Sequence, residues 1–405
     1  MMQVTQVALG RFHHFHLARQ MERRGLLRAI WSGYPAAKLK DEAGIPPAKI
    51  HSYPWFYVPA QAVPRLPLIG GSAALRRSTH WQAVEAIDRR VARSITEPTV
   101  LVGLSSGGLH SGARARSLGG RHVCDRGSTH IRFQDAVLAE EYALWGLPYR
   151  PIDARIVGKE EAEYAQADRI TVPSQFCRQT FLDQGVDPAR ISVIPYGGRL
   201  DRFSPVGEPD PDAFNAVFVG NVTVRKGIQY ALKAFAALGH PNKRLRVIGG
   251  MDPEVEPLLR TLPLDNVEFL GAVPNTQLQQ FYSTADAMLL PSLEEGLALV
   301  MAEAMACGCP VIATENTGAL DLFVDGEEGR IVPARSVEAL RDALEAIVQH
   351  RDAATAMRVR ARARIESLGG YDRYGDRWAA LLDELEGRAS FPVASIPQLA
   401  QGASA

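Results

Sequence analysis

The 405-residue chain reads as an α/β protein made of two doubly wound parallel-sheet domains that face a cleft. Three observations predict this. The length exceeds what one ordinary core organises and suits two domains of about 200 residues. Short β-rich runs alternate with helical stretches throughout, as in parallel sheets covered by helices. Finally, "IPYGGRLDRFSPVGEPDPDA", residues 194–213, carries four prolines and three glycines that break both periodicities, as a hinge would. The expected division is residues 1–194, a hinge at 195–213, a second domain at 214–368, a helix at 369–388 crossing back toward the first domain, and a flexible tail at 389–405.

In the first domain "QVTQVAL" (3–9), "TVLVGLS" (99–105), "RHVCD" (121–125) and "RITVPS" (169–174) read as strands. "FHLARQMERRG" and "STHWQAVEAIDRRVARSI" each show one apolar face at helical spacing. The second domain is clearer. "FNAVFVG", "RLRVIGG", "VEFLG", "DAMLLPS", "PVIAT" and "GRIVP" read as six strands, separated by "IQYALKAFAAL", "NTQLQQFYSTA", "LALVMAEAMACG" and "SVEALRDALEAIVQH" as helices. "GYDRYGDRWAALLDELE" is a last helical stretch.

Hydrophobic residues make up 46% and charged residues 22%, with mean hydropathy −0.09, which describes a soluble globular chain. No apolar run reaches the ~18 residues of a membrane helix, and the start lacks a signal peptide's apolar core, so a cytoplasmic protein is expected. Cys124, Cys177, Cys307 and Cys309 include no C-x-x-C pair and read as reduced core residues. Residues 1–200 hold 26 Lys+Arg against 17 Asp+Glu, whereas 201–405 hold 19 against 28. Such asymmetry can guide an anionic partner to one domain.

The most informative stretch is "PSLEEGLALVMAEAMACGCPVIAT", residues 291–314, where Glu294, Glu295 and Glu303 interrupt an apolar run. In an open α/β sheet ligands sit beyond the carboxyl ends of the strands, at helix N-termini. A strand ending near Ser292 and a helix from Leu297 to Gly308 put "EEG" in the loop above the sheet. Gly296 permits close backbone approach, and the N–H groups of Gly296, Leu297, Ala298 and Leu299 would face a diphosphate. Glu303, about two turns in, can accept both hydroxyls of a ribose, and Glu295 can reach the other end of the ligand. "VFVGNVTVRKG", residues 217–227, adds Arg225 and Lys226 just before a helix, where paired cations oppose the macrodipole and suit a pyrophosphate leaving group.

These pieces resemble a family 4 glycosyltransferase of the retaining, two-domain GT-B type with Rossmann-like halves. The matching segments are "VIPYGG…RF.P" (193–205), "VFVGNVTVRKG", "VEFLGAVP" (267–274), "ADAMLLPSLEEGLALVMAEAMACGCPVIAT" (285–314) and "TGALDLFVDGEEGRIVP" (317–333), in the family's order and spacing. The resemblance implies that Glu295 and Glu303 are the family's Glu-x7-Glu, the first contacting the donor sugar and the second the ribose. It implies Lys226 as the phosphate-binding lysine. The family's frequent glycine-arginine pair is here Gly220–Asn221, which leaves Arg225 as the substitute. It also implies that backbone around Gly271, Val273 and Pro274 flanks the base. "CDRGSTHIRFQDAVLAEEYALWGLP" resembles a sub-group with Gly-Ser-Thr-His after a strand, which points to His130 and Arg126 near the acceptor or the donor phosphates. The turn "GRFHHFH" would form the opposing wall, with Arg11 and His14 on the acceptor side and Gly10 standing alone where the family usually has a glycine pair.

The implied function is transfer of a sugar from a nucleotide-diphosphate sugar, UDP- or GDP-linked, to a glycan or lipid-linked acceptor in envelope polysaccharide or glycolipid synthesis. By resemblance, configuration is retained through attack on the leaving group's face, with a diphosphate oxygen taking the acceptor proton. No cofactor, metal or nucleic acid is called for. The one Asp-x-Asp, "DPD" at 210–212, lies in the hinge, and His13, His14 and His16 suit cleft hydrogen bonding better than a metal. Lys226→Ala should lower turnover severely and Glu294→Ala little. Residues 51–77, "HSYPWFYVPAQAVPRLPLIGGSAALRR", read as an irregular lid or as a segment dipping into an anionic membrane surface, which would make the protein peripheral. Competing readings are a GT-B nucleotide-sugar epimerase or phosphorylase and a non-catalytic nucleotide-sugar scaffold. A Rossmann oxidoreductase is disfavoured because "SSGGLHSG" (105–112) lacks G-x-G-x-x-G spacing.

Overall fold

The structure, a computed structural model, describes residues 2–11, 13–40, 42–63, 66, 72–198 and 202–388. The tail 389–405 and part of the 51–77 segment therefore lie outside the described residues. Among the described residues thirteen strands form two parallel sheets. The first holds β1 (Val4–Ala8), β2 (Leu27–Ser32), β3 (Ile50–Ser52), β4 (Val100–Leu104), β5 (Arg121–Asp125), β6 (Arg169–Val172) and β7 (Ile191–Val193), in the order β3-β2-β1-β4-β5-β6-β7. The second holds β8 (Phe214–Val219), β9 (Lys243–Ile248), β10 (Val267–Gly271), β11 (Ala287–Leu290), β12 (Val311–Thr314) and β13 (Gly329–Val332), in the order β10-β9-β8-β11-β12-β13.

Both orders reverse direction once, between β1 and β4 and between β8 and β11. At such a reversal the crossovers leave on opposite faces and open a crevice above the strand ends. Alternation along β8 shows why both faces are buried. Phe214, Ala216 and Phe218 join one core cluster, while Val217 and Val219 join the other beside Met288, Leu290, Met301 and Met305.

The chain crosses between domains twice after β7. The first crossing is the segment 194–213, which leads into β8, and the second follows the helix Arg351–Ser367. The crossings touch backbone to backbone: a Cβ on Gly197 would collide with Gly370 and Tyr371. The last helix, Gly370–Leu385, then lies on the first domain, where Tyr374, Trp378, Leu381 and Leu382 are buried with Val4, Phe15 and Met21. Each large apolar side chain so buried contributes roughly 1.5–3 kcal/mol. The helix Ile131–Leu144 makes the reverse gesture, since its Tyr142 enters the second domain's core. Beside it the buried Glu141 accepts from Gln229 Nε2 at 2.8 Å, Tyr230 Oη at 2.7 Å and Arg335 Nε at 2.7 Å.

Candidate functional site

The second domain's crevice is built by the loops that leave β8 and β11. Gly227, with φ +69°, begins the helix Ile228–Ala237, and a Cβ there would strike the Pro291 carbonyl oxygen. Glycine thus lets the Arg225–Lys226 turn lie directly against the loop after β11, where Leu293 N–H donates to the Arg225 carbonyl at 2.9 Å. Lys226 Nζ stands 2.5 Å from Glu295 Oε1, and Arg225 contacts Glu295 Oε2 at 3.6 Å. The Lys226 methylenes pass over Gly220, which has φ +143°. Asn221 beside it is exposed.

Glu294 faces the other way and is wholly buried. It accepts from Arg225 Nε at 2.7 Å, Thr129 Oγ1 at 2.8 Å, Gln134 Nε2 at 3.1 Å and Thr129 N–H at 3.3 Å, and from Ser128 Oγ. Burial pushes its pKa up, but Arg225 and the hydroxyl donors override this and hold it at about 2. Little effect on turnover was expected of Glu294→Ala, and to this the structure adds a structural part for Glu294. It joins the two domains, and three of its partners lie on the first. Gly296 also differs from expectation. Its close neighbour is the Gly127 carbonyl oxygen, which a Cβ would hit, and its own carbonyl accepts from Ser174 Oγ at 2.7 Å.

The helix after this loop starts at Leu299 with Ala298 as an N-cap that offers no side-chain acceptor. Leu297, Ala298 and Leu299 line a cavity of about 20 Å³ with Pro195 to Gly198, Asp321 and Arg377. That is room for about one water and not for a nucleotide, so the domains stand closed over this helix end. Glu303 lies further along the same helix, half-buried, where the buried Tyr282 hydroxyl donates to it at 3.4 Å. Gly271 (φ +66°), which ends β10, and Pro274 are exposed and Val273 is half-buried, with Leu270 and Met251 also exposed. Two strand spacings, about 10 Å, separate β10 from β8, a distance a nucleoside diphosphate spans.

The first domain supplies the opposing wall, and here the structure corrects several placements. His130 does not face the cleft. It caps the helix Ile131–Leu144, its Nδ1 accepting from Arg132 N–H at 3.2 Å, and its ring packs on Tyr164 and Phe181. Burial, aided by Arg126, lowers its pKa to about 4. Arg126 is buried and fully engaged, donating to Thr129 O at 2.8 Å, Gln134 Oε1 at 2.9 Å and Ser105 Oγ at 3.1 Å, with Glu160 Oε2 at 2.9 Å. It braces the Gly127–His130 loop. Arg11 pairs with Glu42, and Gly10 is buried at the end of β1.

His14, expected on the acceptor side, is completely buried. Its neighbour His13 is also buried, at 9% exposure, and packs against Tyr196 of the hinge, with Nε2 2.6 Å from Asp125 Oδ2, and His14 Nε2 reaches the same oxygen at 3.1 Å. From the sequence His13 stood only as one of three histidines suited to cleft hydrogen bonding, and nothing paired it with Asp125. The available signal was position, because each sits at the carboxyl end of a strand of one sheet, one after β1 and one closing β5.

Residues 201–364 match the family model described as glycosyl transferases group 1. D-inositol 3-phosphate glycosyltransferase 2 of Catenulispora acidiphila is 34% identical over 202 residues, covering 44% of this chain and 47% of that protein. A GDP-mannose-dependent alpha-(1-6)-phosphatidylinositol monomannoside mannosyltransferase of Mycolicibacterium smegmatis is 29% identical over 222 residues, covering 48% and 57%. The chain thus spans about half the length of the curated relatives it matches. Among solved structures, sucrose-phosphate synthase from Thermosynechococcus elongatus superposes with TM-score 0.71 at 22% identity, covering 96% of this chain and all (100%) of that one. Anabaena HepE in complex with UDP gives 0.68 at 14% identity, covering 95% and 100%. At these identities the likeness shows the two-domain GT-B fold.

Proposed function

We propose, from the premise that the chain belongs through residues 201–364 to the glycosyl transferases group 1 family, that it moves a sugar with retention from a nucleotide-diphosphate sugar to a glycan or lipid-linked acceptor. The observation that carries this reading is the Lys226–Glu295 pair across the reversal between β8 and β11, with Arg225 beside it. Two cations at this point can hold a departing diphosphate, and Glu295 stands where the sugar would lie. Glu303 would take the ribose and the exposed end of β10 the base. UDP- and GDP-sugars are the donors proposed, in keeping with a relative named for GDP-mannose and a neighbour solved with UDP. No metal ligand set is assigned to the step.

The first domain's own glycine-rich turn supports this choice over a dinucleotide enzyme. Its backbone donors are already satisfied internally: Glu163 accepts from Ser106 N–H at 2.7 Å and Gly108 N–H at 2.6 Å, and Asp88 from Ser111 N–H at 2.9 Å. A phosphate would have to displace buried carboxylates there. Thermal-shift titration with UDP, GDP and ADP tests the proposal. The matching nucleotide at 100 times its Kd should add about 2.7 kcal/mol of stability. No stabilisation by any of the three would refute it.

Among the described residues no helix is long and apolar enough to cross a membrane. A lipid-linked acceptor would then be met at a surface. Trp55 is 74% exposed, and Phe56, Val58 and Leu66 are also exposed, on a segment that packs against the helix bearing Arg76 and Arg77. Those arginines line a concavity with His80 and Arg150. We assign this face to an anionic bilayer. Vesicles containing phosphatidylglycerol should float the protein at low salt and release it at high salt. Trp55→Ala with Arg76→Ala should remain unbound, and absence of flotation by the unaltered protein would end the assignment.

A further inference from the structure

The turn after β1 and the end of β5 bring His13, His14 and Asp125 together, with their ligand atoms all within 4.8 Å. A metal centre is one reading of such a trio. The distances favour another, because two ligands of a tetrahedral ion at ~2.0–2.1 Å stand about 3.3 Å apart, whereas His13 Nε2 and Asp125 Oδ2 are at hydrogen-bond separation, 2.6 Å. Asp125 is fully buried and its other oxygen accepts from Thr171 Oγ1 at 2.8 Å. Burial pushes its pKa up, yet the two imidazoles keep it well below the usual carboxylate range. An ionised Asp125 can only accept, so a neutral His13 must carry its proton on Nε2 and leave Nδ1 as a bare acceptor.

Nδ1 has no hydrogen-bond partner among the described residues, and the ring edge that carries it faces Gly127 with Cε1 foremost, beside the Tyr196 hydroxyl. A Cβ built on Gly127 would lie 3.3 Å from His13 Cε1 and 3.9 Å from Nδ1. The carbonyl of the same glycine abuts Gly296, next to Glu295. Gly127 thus stands between His13 and the Glu295–Gly296 loop that would hold the sugar of a transferase. The ring is further set by Tyr196 of the hinge, 4.3 Å between centroids.

We propose that His13 Nδ1 is the site that receives and orients the attacking hydroxyl of the acceptor, with Asp125 as the positioning residue that fixes its tautomer. This rests on the transferase reading and adds the acceptor side to it. The arrangement makes a specific demand of Asp125→Asn. With Thr171 donating to the amide oxygen, the amide nitrogen would point at His13 Nε2. That nitrogen must then accept, which moves the proton to Nδ1 and abolishes acceptance there while His13 itself is unchanged.

The test uses the full chain, with UDP-glucose and GDP-mannose as donors and water in the acceptor's place. His13→Gln and Asp125→Asn should each lower nucleotide release about 10- to 100-fold, the cost of misorienting a nucleophile, while UDP or GDP binding measured by calorimetry stays within twofold. Nitrogen-15 NMR of labelled histidine should show the Nε2–H tautomer of His13 in the parent protein and the Nδ1–H tautomer in Asp125→Asn. A parent protein that binds neither UDP nor GDP sinks the transferase reading and this one with it. Nucleotide binding with unchanged hydrolysis in both variants sinks only the His13 assignment. So does binding without any hydrolysis in the parent, because a hydroxyl site so placed admits water. An Nδ1–H tautomer in the parent overturns the assignment whatever the kinetics.

Discussion

Lys226→Ala is expected to lower turnover about 10²–10³-fold, the usual loss when one preorganised donor to a developing anion is removed. The effect should fall on the chemical step more than on folding, since the side chain only lies over Gly220 and its ammonium is paired with Glu295. In the structure Lys226 is held by Glu295. A diphosphate carries more charge than one carboxylate and can take the ammonium over, leaving Glu295 to the sugar hydroxyls. Lys226→Arg should restore part of the rate, because the charge is kept while the point contact is lost. Arg225→Ala should cost less in turnover, as that guanidinium is already bonded to Glu294. Hydrolysis rates for the three variants decide this, and a loss under fivefold in Lys226→Ala would remove the diphosphate from this position.

The second domain was legible because five of its six strands are closed by glycine or proline, and β8, β11 and β12, central in the sheet, are short and mostly apolar runs, as doubly buried parallel strands are. The first domain hid β2, "LRAIWS", which follows its helix after only Arg24, Gly25 and Leu26, with Gly25 at φ +69° and no polar break between. The three-residue strands β3 and β7 are too short to show a period. At the site, Lys226 and Glu295 could be read because both stand in motifs at the carboxyl ends of neighbouring strands. The joining role of Glu294 and the pairing of His13 with Asp125 could not. The Ser128, Thr129 and Gln134 partners of Glu294 are 160 or more residues away in sequence, and Asp125, which His13 meets, is 112 away. Domain packing, which brings Glu294 to its partners, leaves no local pattern.

Charge bookkeeping by halves also proved a weak guide. The diphosphate in the proposed function is held by the half with excess acid, through two local cations whose neighbouring carboxylates pre-position them. Many first-domain arginines are spent internally, as Arg126 is on Glu160 and on three neutral oxygens.

Glu294→Ala is the substitution expected to damage the fold most. Removing one member of a buried, hydrogen-bonded ion pair commonly costs about 3–5 kcal/mol because its partners are left unpaired, and here the orphans include Arg225 and the hydroxyls of Ser128 and Thr129. The loss should appear first as domain opening, since those hydroxyls belong to one domain and Arg225 to the other. A larger radius of gyration in solution scattering should accompany the lower unfolding midpoint. Glu294→Gln keeps the shape and isolates the charge. The carboxylate's folded pKa of about 2 lies below its unfolded value near 4.3. Its contribution is therefore complete above pH ~4.3 and is lost as pH falls toward 2. The stability gap between the parent and Glu294→Gln should be constant from pH 7 to 5 and shrink below ~4.3, measured by chemical denaturation. A gap that is absent at pH 7, or that widens on acidification, would mean that Glu294 is not the charged joint between the domains.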